Sequence, residues 1–170
     1  MIKYLLALVF LTAAFSSESQ NVQPVKPCSV PESSQFDFWI GNWDLMWNDT
    51  SHGTNNIVKI MDGCAVNENF LDPAINYRGS SWSMYNPQAK EWQQTWIDNQ
   101  GGYIDLAGTF ENNAMTLFTE TTTDAAGKKI RYRMLYYNIT QDKFDWSWDS
   151  TYDDGKTWKP NWAIHYQRTK

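Results

Sequence analysis

Two histidines and two cysteines are all that this 170-residue chain offers to a transition metal or a thiol nucleophile. Cys28 and Cys64 form no CxxC pair, and His52 and His165 lie far apart in sequence, so no metal site is expected. The GxSxG, HExxH, P-loop and GxGxxG spacings, which mark nucleophile elbows, zinc proteases, phosphate cradles and dinucleotide sites, are all missing. Basic residues are also scarce: 14 Lys and Arg stand against 19 Asp and Glu, for a net charge of −5. Neutralising phosphates needs clustered Lys and Arg. Here only Lys128, Lys129, Arg131 and Arg133 gather, and nucleic acid is excluded as a partner.

Apolar runs are short as well. The one near the start, Leu5 to Phe15, falls below the roughly 20 residues that span a bilayer. With Lys3 before it and Ala14 and Ser16 placed at −3 and −1, residues 1–16 read as a secretory signal. Its removal takes away one lysine and no acid, leaving the mature protein one unit more negative and without a membrane segment. A secreted or periplasmic location follows. In an oxidising compartment an even cysteine count invites a bridge. A Cys28–Cys64 disulfide would tie the Pro/Ser/Gln-rich arm over residues 17–35 to the turn after the second strand; two unpaired thiols are the alternative.

No helix longer than one or two turns is evident. From Phe36 onward, β-favouring segments alternate with turn signals about every ten residues. Strands are expected near 38–48, 54–62, 64–71, 77–86, 90–98, 102–110, 113–123, 129–139, 142–152 and 157–168. Asn48-Asp49, Asp62-Gly63, Asn112-Asn113 and Ala126-Gly127 lie among the separating turns, where tight hairpins favour positive φ. The expectation is an all-β protein: a single antiparallel meander β-barrel of about ten strands over residues 36–170, closed because closure removes exposed sheet edges.

Alternation assigns the faces. Trp43, Leu45 and Trp47 share one face, as do Trp92, Gln94, Trp96 and Asp98. Phe144, Trp146, Trp148 and Tyr152 form another inward set, with Asp145, Ser147, Asp149 and Asp153 opposite, and Trp162, Ile164, Tyr166 and Arg168 align. The barrel would thus be lined by tryptophan and tyrosine mixed with polar groups such as Gln94, Asp98 and Ser83. A barrel filled only for stability favours Leu, Ile and Val, which bury no polar atoms. Ten tryptophans with inward polar groups suit a pocket for flat, partly polar ligands; the alternative is that large aromatics simply fill a short barrel.

The series FDFWIGNW, MDGCAVNENF, YRGSSWSMYNPQAKEWQQTWIDNQGG, DGKTW and a closing HYQR resembles an uncharacterised bacterial domain-of-unknown-function family of calycin-like, lipocalin-like barrels. The resemblance covers about Phe36 to Arg168. It implies that Trp43, the tryptophan of G-x-W, packs across the barrel floor beneath a basic residue of the last strand, Arg168. Nitrobindin-like relatives hold haem through a late-strand histidine. Here His165 sits between inward Ile164 and Tyr166 and should face outward, and the floor motif GxWxGxG is incomplete after Trp43, so no cofactor is expected. Thr151 to Trp158 resembles an Asp-box hairpin, which implies that Asp153 and Trp158 stabilise a turn.

The function expected is binding of a small apolar or aromatic ligand without catalysis. Trp47, Tyr85, Trp92, Trp96, Trp146 and Trp148 are the expected wall, with Gln94 and Asp98 orienting polar groups. Trp82 is a further wall candidate, but its parity opposes that of Tyr85. Two alternatives remain: a carbohydrate-binding module with outward tryptophan platforms, or a hydrolase or isomerase with Asp98 or Glu68 as general base. The sequence assigns no oligomeric state.

Overall fold

A computed structural model describes residues 28–48 and 50–169. The expected signal over residues 1–16 and the first part of the arm, 17–27, lie outside the described residues. The described residues form eleven strands and three short 3-10 turns, Pro31–Ser34 and Asp37–Trp39 before the first strand and Met61–Gly63 between the second and third. The strands are β1 (Gly41–Trp47), β2 (Ser51–Ile60), β3 (Ala65–Asp72), β4 (Tyr77–Asn86), β5 (Glu91–Asp98), β6 (Tyr103–Glu111), β7 (Ala114–Phe118), β8 (Thr122–Thr123), β9 (Lys129–Tyr137), β10 (Lys143–Thr151) and β11 (Lys159–Arg168).

Ten of them close an antiparallel barrel. β1 to β7 pair in sequence, β7 skips to β9, and β9, β10 and β11 lead back to β1. The expected strand over 113–123 is split. Its first half enters the barrel as β7, while β8 pairs only with β9 outside the ring. The break falls at Thr119, whose hydroxyl donates to the Glu120 carbonyl and accepts the Tyr132 N–H, so the ladder is interrupted by side-chain bonding. Hairpins turn where the sequence places asparagine: Asn112 and Asn113 both have positive φ, +52° and +58°, as a two-residue type I′ turn requires.

One end of the barrel is plugged. The segment Phe36–Ile40 runs under the first strand, and Phe36 and Trp39 are fully buried. Phe36 packs edge-on against Trp92 and Tyr136, with ring centroids 4.8 and 5.4 Å apart. Trp43 donates its indole N–H to the Trp39 carbonyl at 2.7 Å, and the Arg168 guanidinium lies 4.2 Å from the Trp43 ring centre. Arg168 also donates to the carbonyls of Ile40, Phe38 and Gln141 at 2.7, 3.1 and 2.9 Å. One guanidinium thereby satisfies two carbonyls of the non-strand plug and one of the β9–β10 turn. Gly41 permits this approach: at φ +133°, a Cβ there would overlap an Arg168 nitrogen.

The disulfide is formed. Cys28 and Cys64, with Cα atoms 5.0 Å apart, tie the segment before the plug to the turn between β2 and β3, at the same closed end. Such bridges persist in oxidising compartments. Among the described residues no helix is long and apolar enough to cross a membrane.

One face assignment needs correction. Phe144, Trp146 and Trp148 point inward and Asp149 lies on the outer face as expected, but Tyr152 is exposed. Tyr152 lies beyond the end of β10, which pairs with β9 in unbroken register up to Thr151; the β10–β11 register shift between Trp148 and Asp149 leaves the extra residue, Asn161, on β11. Asp149 then accepts a 2.7 Å ion pair from Arg133, which Trp158 covers at 4.4 Å on the outer wall. The loop carrying Trp158 is the Asp-box-like hairpin. Asp153 accepts the Thr157 N–H and hydroxyl and the Thr151 hydroxyl, and these bonds hold its carboxyl down at about 2.

Candidate functional site

Between the plug and the opposite, open end lies a chamber of about 120 Å³. Its wall comes from alternate inward positions: Phe70 on β3, Tyr77 on β4, Trp96 on β5, Tyr136 on β9, Trp146 and Trp148 on β10, and Trp162 and Tyr166 on β11. Trp162 anchors one side, edge-on to Trp47 at 5.4 Å, to Phe70 at 5.7 Å and to Trp146 at 5.6 Å. At the mouth Tyr132 and Trp148 stack in parallel, 5.0 Å apart. The Trp96 ring lies flat over β4 because residue 79 is glycine; a Cβ there would occupy the ring's position. Edge-to-face contacts of this kind fix ring orientation as well as burying area.

One carboxyl opens into this chamber. Glu68 sits in mid-strand between Val66 and Phe70, 6% exposed. Its two oxygens accept 2.6 Å hydrogen bonds from Asn55 Nδ2 and Ser81 Oγ. Asn55 also reaches the Tyr166 hydroxyl at 3.2 Å, while Gln94 donates to Ser81 and Ser83 at 3.2 and 2.8 Å. All these partners are neutral. Burial dominates, and the Glu68 carboxyl is pushed up to about 7 despite its bonds from Ser81 and Asn55. The Asn55 and Gln94 side-chain oxygens are buried without a hydrogen-bond partner.

Asp98 has the opposite environment. It stands at the rim, accepting the Gly102 and Gln100 N–H groups at 2.8 and 2.9 Å, the Tyr77 hydroxyl at 2.9 Å and the Trp96 indole N–H at 3.2 Å. Burial opposes its ionisation, but these four donors outweigh it and hold the carboxyl below its ordinary value. Asp98 therefore closes the β5–β6 turn and aims two wall side chains. Its bond also helps burial push the Tyr77 hydroxyl up to about 12.

The remaining sequence candidates divide by height in the barrel. Trp96, Trp146 and Trp148 line the chamber, and Trp47 flanks it through Trp162. Trp92 and Tyr85 face inward but lie at the plugged end, where Trp92 donates to Gln35 at 3.0 Å and contacts Phe36. Gln94 lies deep in the interior as a donor to the serines that hold Glu68. Trp82 is 43% exposed on the outer face, where β4 meets an outer groove with Met61 and Met84. It is the one strongly exposed tryptophan among the described residues. His165 is on the outer face too, bonded through Nδ1 to Asp145.

Sequence reasoning left Tyr77, Tyr136, Trp162 and Tyr166 out of the wall, although the parity of Trp162 and Tyr166 was visible. It also read Glu68 as a candidate base without placing it, although Val66-x-Glu68-x-Phe70 alternates as an inward set. Among the described residues no group of three His, Cys, Asp or Glu side chains is placed to hold a metal ion. Neither the family models nor the curated proteins searched match this chain.

Proposed function

We propose that this protein is an exported calycin-type barrel that binds a small, single-ring or similarly compact ligand in its aromatic chamber. One observation carries the reading: a chamber walled by indole and phenol rings contains a single buried carboxyl with no charged partner. Apolar walls with a few placed polar groups are the usual composition of a small-molecule site. The volume sets the scale, since a dry cavity of about 150 Å³ accepts benzene. The disulfide and the signal-like residues 1–16 support export to an oxidising compartment.

Intrinsic fluorescence tests the reading directly, because five tryptophans (Trp47, Trp96, Trp146, Trp148 and Trp162) surround or flank the chamber. A panel of compact aromatic and apolar compounds is expected to quench it saturably. Trp96→Ala and Trp148→Ala should weaken that quenching while Trp82→Ala leaves it unchanged. Equal quenching in all three variants would refute chamber binding. Native mass spectrometry of protein purified from its own host would show the resident molecule.

A second reading has its own observation. A carboxyl held near 7 is matched to proton transfer at neutral pH, as a general acid or base must be. In that case Glu68, and not Asp98, is the group that touches substrate, and turnover follows a single ionisation near that value.

A further inference from the structure

Resting on that reading of the chamber, we propose that the ligand is a cation: a small organic ammonium head group enclosed by ring faces, with Glu68 as its counter-ion. Eight of the twelve side chains lining the chamber are aromatic, one is the Glu68 carboxyl, and none is Lys, Arg or His. Ring faces carry the negative part of the aromatic quadrupole, so walls and carboxyl act with the same sign. Of the basic residues around the barrel, Arg78 is exposed on β4 beside Tyr77 and lines an outer groove with Asp98, and three others lie over aromatic rings away from the chamber. Arg131 and Arg133 lie over Phe118 and Trp158 on the outer wall, and Arg168 lies beneath the floor over Trp43. The rim adds Asp98, a second acid, on the path inward.

Chemistry separates this from a neutral ligand. Hydrophobic binding of an uncharged ring needs no carboxyl, and burying one without a cationic partner is costly. Asn55 and Ser81 direct one donor each at Glu68 and leave further acceptor capacity on both oxygens. A methylated ammonium head group is compact enough for about 120 Å³, with any tail passing through the mouth. Within the chamber an anion meets only like charge and ring faces.

The groups facing Glu68 across the chamber are Tyr136 and Tyr166, with Tyr77 and Asp98 toward the mouth. Burial and the Glu68 charge hold Tyr136 and Tyr166 well above the ordinary tyrosine value, so both stay neutral at physiological pH, and Asp98 stays ionised. Glu68 alone changes charge near neutrality. A cation in the chamber favours its ionised form, so binding near pH 7 releases a proton and tightens as pH rises.

The test uses the mature protein and four probes: choline, its uncharged isostere dimethylbutanol, the anion pivalate, and phenol as a neutral ring. At alkaline pH choline should bind about tenfold more tightly than dimethylbutanol, with pivalate weakest. Glu68→Gln should erase the preference, bringing choline to the affinity of dimethylbutanol. Calorimetry of the wild-type protein in two buffers of different ionisation enthalpy should detect the released proton without any variant. Equal affinity for choline and dimethylbutanol, a preference that survives in Glu68→Gln, or no proton release overturns the cation while neutral binding keeps the chamber reading. Failure of all four probes to bind overturns both.

Discussion

Replacing Glu68 by glutamine should flatten the pH dependence of this protein's stability. In the folded barrel the carboxyl titrates at about 7, against an ordinary value of 4.5. Below the ordinary value both states hold the proton and the group contributes fully. Between the two values the unfolded chain loses its proton while the folded one retains it, so stability falls as pH rises through the folded value. The interval of about 2.5 units, at 1.36 kcal/mol per unit, amounts to about 3 kcal/mol. For a domain of this size that is a change in Tm of about 10 °C. The variant keeps one acceptor oxygen and exchanges the other for an amide NH2, a group that does not titrate, so its own stability curve lacks the Glu68 step. Urea and thermal unfolding, followed by tryptophan fluorescence from about pH 4 to about pH 8.5, isolates the titration as the difference between the two curves. Parallel curves would refute the argument, because they would mean that Glu68 is no more easily protonated in the barrel than in the unfolded chain.

Three further outcomes follow from the closed end and the wall. Cys28→Ser should cost about 4 kcal/mol, the loop-closure value for a bridge of 36 residues' separation, and reduction of the wild-type protein should reproduce it in urea melts. Arg168→Met keeps the stem over Trp43 but leaves the carbonyls of Phe38, Ile40 and Gln141 without their donor; a loss of about 3 kcal/mol is expected, with faster exchange of plug amides. Gly79→Val should displace the Trp96 ring into the chamber and abolish probe quenching, with a smaller effect on unfolding; unchanged quenching would mean that the ring does not shape the site.

The barrel was legible because its strands alternate. Trp92-Gln94-Trp96 and Phe144-Trp146-Trp148 announce both strand and face, and asparagine marks the turns. Alternation failed at two places where the ladder stops: at Thr119, where side-chain bonding detaches β8, and after Thr151, where β10 ends and Tyr152 enters the Asp-box-like turn. The site was only half legible for a different reason. Periodicity tells which residues face inward but not how far along the barrel the interior remains empty. That depends on the plug, a non-strand segment whose Phe36 and Trp39 fill the lower interior. Trp92 and Tyr85 therefore became packing partners, while Trp162 and Tyr166, on the same strand as the floor arginine, became wall. Glu68 was obscured by its own chemistry. An acid in VNENF suits a solvated strand end, and only its partners Asn55 and Ser81, 13 residues away on either side, show that it lies deep inside.

The plug also determines which way the molecule faces. Cys28 is fastened beside the β2–β3 turn, and at the other extreme Thr169 donates to the Asn42 carbonyl, next to Gly41. Both ends of the described chain thus leave from the sealed base, and the aromatic mouth looks the other way. A surface, a fusion partner or a sensor chip attached directly after Thr169 would hold the protein like a cup by its foot, with the opening presented to solution.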